Sequence, residues 1–264
     1  MEKGNNIEEL KTFLDRKVIE FNTPDFIKDD PIVIPHFFSL KQDIEIAGFF
    51  AAVFAWGIRK TIINKSKTLL QLMDSAPYDF CINHTDQDLK KLEGFCHRTF
   101  NDTDLLYFIS FLKFHYSKHQ SLESAFFNKK TMHHSQNIIE VSLNYFYHYF
   151  FSLEYVPLRT QKHIASPQKN SSCKRLNMYL RWMVRNDNKG VDFGLWKKIS
   201  PSQLICPVDV HVARVAKHFN LLKRKQVDWQ ASIELTDELK KLDITDPVKY
   251  DFALFGLGVL EKYS

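Results

Sequence analysis

Two residues able to do covalent and acid–base chemistry stand at the starts of two helical segments. Lys174 opens K-R-L-N-M-Y-L-R-W-M-V-R, and Asp209 stands just ahead of V-H-V-A-R-V-A-K-H. In the first segment Leu176, Leu180, Met183 and Val184 recur at helical spacing, which predicts a buried stripe. Arg181 and Arg185 fall one turn apart on another face. In the second, Val212, Val215, Ala216 and Phe219 make the stripe, while His211, Arg214 and His218 point away from it. Asp209 occupies the place of an N-cap, the position at which a side-chain oxygen satisfies free helix amides. Lys174 lies in the first turn of its helix, where the macrodipole opposes an ammonium by about 0.3–1 kcal/mol when exposed. Lys169 and Arg175 push the same way. The amine relieved of its extra proton is a nucleophile.

The elements that must position this pair are helical. With 44% hydrophobic residues in 264, the chain can bury a substantial core as one large domain or two lobes. Only 8 glycines and 9 prolines argue against a fold of many tight β turns. Amphipathic spacing predicts helices over 7–21, 65–73, 104–116, 122–127, 138–151 and 229–242. Residues 24–40, with Pro24, Pro31 and Pro35, read as extended or turning. From about Asp43, a candidate cap, to Ile58 the chain is apolar nearly all round and predicts a central buried helix ending in W-G-I-R-K. The aromatic run Tyr145–Phe151 reads as core rather than as a platform for bases, and His133 and His134, adjacent in sequence, do not read as a metal pair. Asp246 followed by Pro247 predicts an N-cap and first turn, and Gly256 predicts close approach by a neighbouring helix.

Charge is concentrated around the candidate site. Between Arg159 and Lys225 there are 15 Lys and Arg against three acids, within a chain of net charge +5. Such a run favours a polyanionic partner. The four cysteines show no C-x-x-C spacing, so neither a zinc ribbon nor an iron–sulfur cluster is expected, and no cofactor or metal is called for. The acidic, polar start M-E-K-G-N-N-I-E-E-L predicts no signal peptide, and the longest apolar run, Ile46 to Ile58, is too short for a bilayer. A cytoplasmic protein without membrane contact is expected.

The segment C-P-V-D-V-H-V-A-R-V resembles the V-D-x-H-x-x-R segment of the helix-hairpin-helix DNA glycosylase superfamily, the group of endonuclease III and the 8-oxoguanine glycosylases. In its bifunctional members a lysine opens the helix after the hairpin and an aspartate follows downstream, and Lys174 and Asp209 match those positions. From about residue 40 onward the chain also resembles an uncharacterised bacterial family placed near this superfamily, closest to its archaeal 8-oxoguanine branch. The superfamily hairpin usually reads apolar-Pro-Gly-apolar-Gly; here I-A-S-P-Q-K-N-S-S-C-K has no glycine, although Ser166-Pro167 and Asn170-Ser171 can still turn. Lys174 and Asp209 are 35 positions apart (209 − 174), longer than in most branches, and the added N-D-N-K-G-V-D-F-G-L-W-K-K-I-S-P reads as a loop special to this kind of protein.

The resemblance implies an all-α, two-lobed glycosylase-like fold with a modified hairpin. One lobe would be a helical bundle over 45–200, the other would combine 1–44 with 201–264, and the two catalytic residues would face each other across a cleft. It implies a base-excision repair glycosylase, with AP lyase activity, acting as a monomer on double-stranded DNA containing a damaged base such as 8-oxoguanine. Lys174 and Asp209 would be catalytic. Lys169, Asn170, Ser171, Arg175, His211 and Arg214 would contact DNA, and Trp56 and Arg59 would line the base pocket. The alternative is a nucleic-acid-binding protein that keeps the fold without the chemistry.

Overall fold

Periodic apolar spacing becomes helix along more than half of the chain in the computed structural model, which describes residues 3–132, 138–259 and 261. The helices are α1 (Lys3–Phe21), α2 (Pro24–Ile27), α3 (Lys41–Phe54), α4 (Arg59–Leu72), α5 (Pro77–Asn83), α6 (Asp86–Lys90), α7 (Asp102–Tyr116), α8 (Glu123–Phe126), α9 (Ile138–Phe150), α10 (Lys174–Val184), α11 (Val210–His218), α12 (Trp229–Leu242) and α13 (Tyr250–Val259). Two short strands, β1 (Cys96–His97) and β2 (Phe100–Asn101), pair antiparallel ahead of α7. The fold class is all-α. Among the described residues no helix is long and apolar enough to cross a membrane.

Two compact units divide the chain, one of residues 27–165 and one of residues 1–26 with 166–264. These boundaries correct the ones expected from sequence, 44/45 and 200/201. Residues 27–40 join the bundle because they coil into 3-10 turns at Pro31–Val33 and Pro35–Phe37 that pack on α3. Asp30 holds the first of these by accepting from the Ile32 amide at 3.0 Å. The stretch was expected to be extended or turning, and the proline at the first position of each turn favours the helical form. Residues 166–200 go with the termini because α10 is ion-paired to residues around the start of α13.

The 27–165 unit is built on α3, buried on every side as its composition predicted. Phe49, Phe108, Phe146 and Phe150 form one aromatic cluster, with Phe108 and Phe150 centroids 4.7 Å apart. Such pairs add about 0.5–1.5 kcal/mol each beyond their area. Of the run at 145–151, Phe146, Tyr147 and Phe150 are therefore core, while His148 is exposed. Helix α3 stops at Phe54 rather than Ile58, because Gly57 turns the chain at φ +109° and leaves Ile58 exposed. Asp43 is not a cap: α3 starts earlier, and the Asp43 carboxylate instead accepts from the Tyr78 amide in the first turn of α5. His133 and His134 lie outside the described residues.

In the other unit α13 is the helix on which α1 and α11 pack. Gly256 faces Phe21 of α1 so closely that a Cβ would lie 2.2 Å from the ring, which is the close approach its sequence position predicted. Asp246 does not cap α13. A 3-10 turn, Pro247–Lys249, intervenes, and the Asp246 carboxylate is taken by Arg185 at 2.8 Å.

Candidate active site

The hairpin turns without glycine. Pro167–Lys169 forms one 3-10 turn, closed by the Asn170 amide on the Pro167 carbonyl at 2.7 Å. Asn170 and Cys173 both take left-handed backbone, φ +54° and φ +51°. Asparagine is among the few L-residues that tolerate this region. Its side chain also donates to Asp228, whose carboxylate caps α12 through the Ala231 amide at 3.0 Å. Cys173 is the residue just before α10, and its amide donates to the Ser171 hydroxyl at 3.1 Å. Helix α10 then begins at Lys174, as its spacing predicted.

One hydrogen bond explains how residues 35 positions apart meet. The Ser172 hydroxyl donates to the Val208 carbonyl at 3.2 Å, so the chain two residues before Lys174 is fixed to the chain one residue before Asp209. The Ser232 hydroxyl of α12 donates to the Ser172 carbonyl at 3.2 Å, and the Asn177 amide group donates to it at 3.1 Å. Asp209 has extended backbone and caps α11: its Oδ1 accepts from the His211 and Val212 amides, each at 2.9 Å. That leaves Oδ2 to face Lys174, whose Nζ is 3.7 Å away. This is an ion-pair distance, longer than a hydrogen bond. Both side chains remain partly open to solvent, at 26% and 21% exposure.

Behind the pair lies a buried charge network. Arg181 donates to Asp251 in the first turn of α13 and, through Nε, to Asp192 at 3.3 Å. Arg185 donates to the second oxygen of Asp192 at 3.0 Å and pairs with Asp187 at 2.7 Å as well as with Asp246. Phe252 lies under both guanidinium groups, 4.3 and 5.4 Å from its centroid. Burial pushes the Asp251 carboxyl up, against the opposing pull of Arg181, to about 6. The long connection between α10 and α11 supplies part of this network. It folds back on the helix: the Phe193 and Trp196 amides donate to the Trp182 and Met183 carbonyls, both at 2.8 Å. Those are among the last carbonyls of α10, which lack partners inside the helix. Trp196 is fully buried against Tyr179. Gly194, at φ +57°, lets the chain pass Asn186, where any Cβ would lie 2.5 Å from that side chain.

The residues singled out from sequence separate into three groups. Lys174 and Asp209 come together. Lys169, Asn170 and Ser171 line the hairpin turn beside them, with Lys169 and Asn170 exposed and Ser171 committed to the Cys173 amide. Arg175 is half-buried, and burial lowers its guanidinium from the usual arginine range. His211 and Arg214 are exposed on α11, but Arg214 donates to the Gly258 carbonyl at 2.8 Å, near the end of α13. Trp56 and Arg59 belong to the other compact unit, where the Arg98 guanidinium covers the Trp56 ring at 4.3 Å. Sequence reasoning passed over Asp192, Ser172 and Asp251. Asp192 sits in the added segment and Asp251 just past the Asp-Pro signal, so neither carries a local mark of its role. Cys173, beside Lys174, is no rival nucleophile: burial pushes its thiol up to about 12.

A family model described as "Protein of unknown function (DUF2400)" matches residues 30–260, and the chain belongs to that family. Neither the curated proteins nor the solved structures contain a match to it.

Proposed function

We propose that this DUF2400 member is a DNA glycosylase of the helix-hairpin-helix kind, with lyase activity, acting on a damaged base such as 8-oxoguanine. One observation carries the reading. Lys174 and Asp209 match the superfamily's lysine and aspartate positions and stand 3.7 Å apart at the starts of two helices, despite 35 intervening positions in sequence. The glycine-free hairpin departs from the superfamily pattern and motivates the non-catalytic alternative, although Asn170 takes a left-handed turn there at φ +54°.

In this mechanism the target nucleotide swings out of the duplex, at a cost of a few kcal/mol that is least for a damaged or mispaired base. The Lys174 amine adds to the sugar C1′ while the bond from C1′ to the base nitrogen breaks, and the base departs with that bonding pair and gains a proton. Asp209 Oδ2, free of the capping duty of Oδ1, faces the cationic sugar as charge develops there. The nitrogen gives up its proton, the sugar ring opens, and a Schiff base joins Lys174 to C1′. Loss of a C2′ proton then expels the 3′ phosphate by β-elimination. Lys169 and Asn170, exposed at the turn, and His211 at the start of α11 are the groups offered to DNA phosphate.

The test is borohydride trapping of the imine on duplexes carrying single lesions, wild type against Lys174→Gln. A covalent adduct that depends on Lys174 is expected. Absence of such an adduct on every lesion refutes the lyase reading and leaves the alternative, a nucleic-acid-binding protein in which Asp209 serves only as a helix cap.

A further inference from the structure

Helix α12 reaches the chain ahead of each member of the candidate pair through two hydroxyls. Ser232 and Thr236, both fully buried, stand one turn apart on the face of α12 that also carries Leu235 and Leu239. The Ser232 hydroxyl donates to the Ser172 carbonyl at 3.2 Å, two residues before Lys174. The Thr236 hydroxyl accepts from the Cys206 amide at 3.0 Å, three residues before Asp209. Its own proton goes to the Ser232 carbonyl at 2.6 Å, which turns a lone pair towards that amide. A direct bond between the two segments, from the Ser172 hydroxyl to the Val208 carbonyl at 3.2 Å, closes a triangle of three ties. The Asn177 side chain, 1% exposed, donates to the same Ser172 carbonyl at 3.1 Å and joins α10 to it. A hydroxyl on a buried, apolar helix face costs free energy unless it is bonded. Valine would fill the Thr236 site with nearly the same shape, but it would leave the buried Cys206 amide without this acceptor.

Taking Lys174 and Asp209 as the reacting pair, as proposed above, we infer that Ser232 and Thr236 are positioning residues. They hold the segments entering α10 and α11 at the separation that sets Lys174 Nζ 3.7 Å from Asp209 Oδ2. Asp209 is a short side chain whose Oδ1 is fixed on the His211 and Val212 amides, so Oδ2 moves wherever the 206–208 segment moves. Lys174 has a long, flexible side chain that can follow part of a shift in its helix. The Thr236 tie, on the Asp209 side, therefore matters more than the Ser232 tie, whose carbonyl partner keeps the Asn177 donor. A misplacement of about 1 Å at a reacting group can lower a rate by on the order of 100-fold.

The separation is read first, without DNA. A water-soluble carbodiimide joins Lys174 Nζ to the Asp209 carboxyl as an amide, the reagent taking up the water that is lost. Mass spectrometry measures the coupled peptides against Lys91–Asp88, an ion pair at 2.8 Å in the other unit. In Thr236→Val the Lys174–Asp209 coupling should fall by about tenfold, and in Ser232→Ala by about threefold. Thr236→Ser, which keeps the hydroxyl, should couple as wild type does. Leu14→Ala, which opens a cavity beneath α1 in the same unit, should lower the melting temperature without changing the coupling. Wild-type coupling in Thr236→Val overturns the inference. So does an equal loss in Leu14→Ala, the mark of a merely structural role, or an absence of coupling in wild type. Should Thr236→Val fail to fold, Ser232→Ala decides, and wild-type coupling there overturns the inference. Imine trapping on lesion-bearing duplex is then run on the same proteins, with a parallel fall expected in Thr236→Val. An adduct formed in that variant at the wild-type rate overturns the positioning role and leaves the enzyme reading standing. Lost coupling in Thr236→Val, with no lysine-dependent adduct even in wild type, removes the enzyme reading and keeps the hydroxyl ties as the source of the geometry.

Discussion

Asp209 has two oxygens with different duties, so two substitutions can separate them. Oδ1 accepts from two amides at 2.9 Å, and Oδ2 faces Lys174. Asp209→Asn keeps a side-chain oxygen able to cap, and Asn ranks with Asp at this position. What it gives up is the charge at the helix N-terminus, about 0.3–1 kcal/mol. Asp209→Ala loses the cap as well, about 0.5–2 kcal/mol more. For a chain of this size each kcal/mol moves the melting temperature by about 2–4 °C. The asparagine variant should therefore melt about 1–4 °C below wild type, and the alanine variant about 2–12 °C below. Calorimetry checks both. Imine trapping on lesion-bearing duplex should be lost in each variant alike, out of proportion to these small changes in stability. An asparagine variant that traps as much DNA as wild type would refute the catalytic role of Oδ2. An alanine variant that melts with wild type would refute the capping argument, and with it the account of why Asp209 points as it does.

Two further outcomes follow from the packing and the buried charges. Gly256→Ala places a methyl 2.2 Å from the Phe21 ring, so α1 must shift from α13; a loss of about 1–3 kcal/mol is expected in urea unfolding, and none if α1 is only loosely attached. The second concerns pH. A carboxyl raised by burial is protonated more readily folded than unfolded, so its contribution to stability is full below about pH 4 and is lost as pH rises through about 6. Asp251 should accordingly make the native state about 1 kcal/mol more stable at pH 5 than at pH 7. Other groups oppose this trend, among them His97, whose burial favours its neutral form. The measurement is therefore the difference between wild type and Asp251→Asn at the two pH values, and equal pH dependence in both would contradict it.

Local chemistry made much of this molecule legible from its residues alone. The 3.6-residue spacing gave the helical class, and α12 begins at Trp229 and ends at Leu242 as read, because Asp228 caps it and its apolar face is continuous. Lys174 and Asp209 could be placed at helix starts because a helix start is encoded within a few residues, whereas their pairing as a candidate site came from the resemblance. The same locality misled where contacts are distant. Asp43 and Asp246 both look like caps in sequence, yet each is claimed by a partner far along the chain, the Tyr78 amide and the Arg185 guanidinium. The basic run between Arg159 and Lys225 suggested a broad positive surface. Folding withdraws Arg181 and Arg185 from that surface and neutralises them with Asp187, Asp192, Asp246 and Asp251, two of which lie beyond the run. The unit that carries the site holds 21 basic residues against 17 acidic, a far smaller excess than the run alone. Helix starts and apolar stripes are short-range properties, and the sequence by itself determined them. Which charges meet, and so what electrostatic field surrounds Lys174, was decided only when the chain closed α13 against α10 and paired groups as many as 70 residues apart.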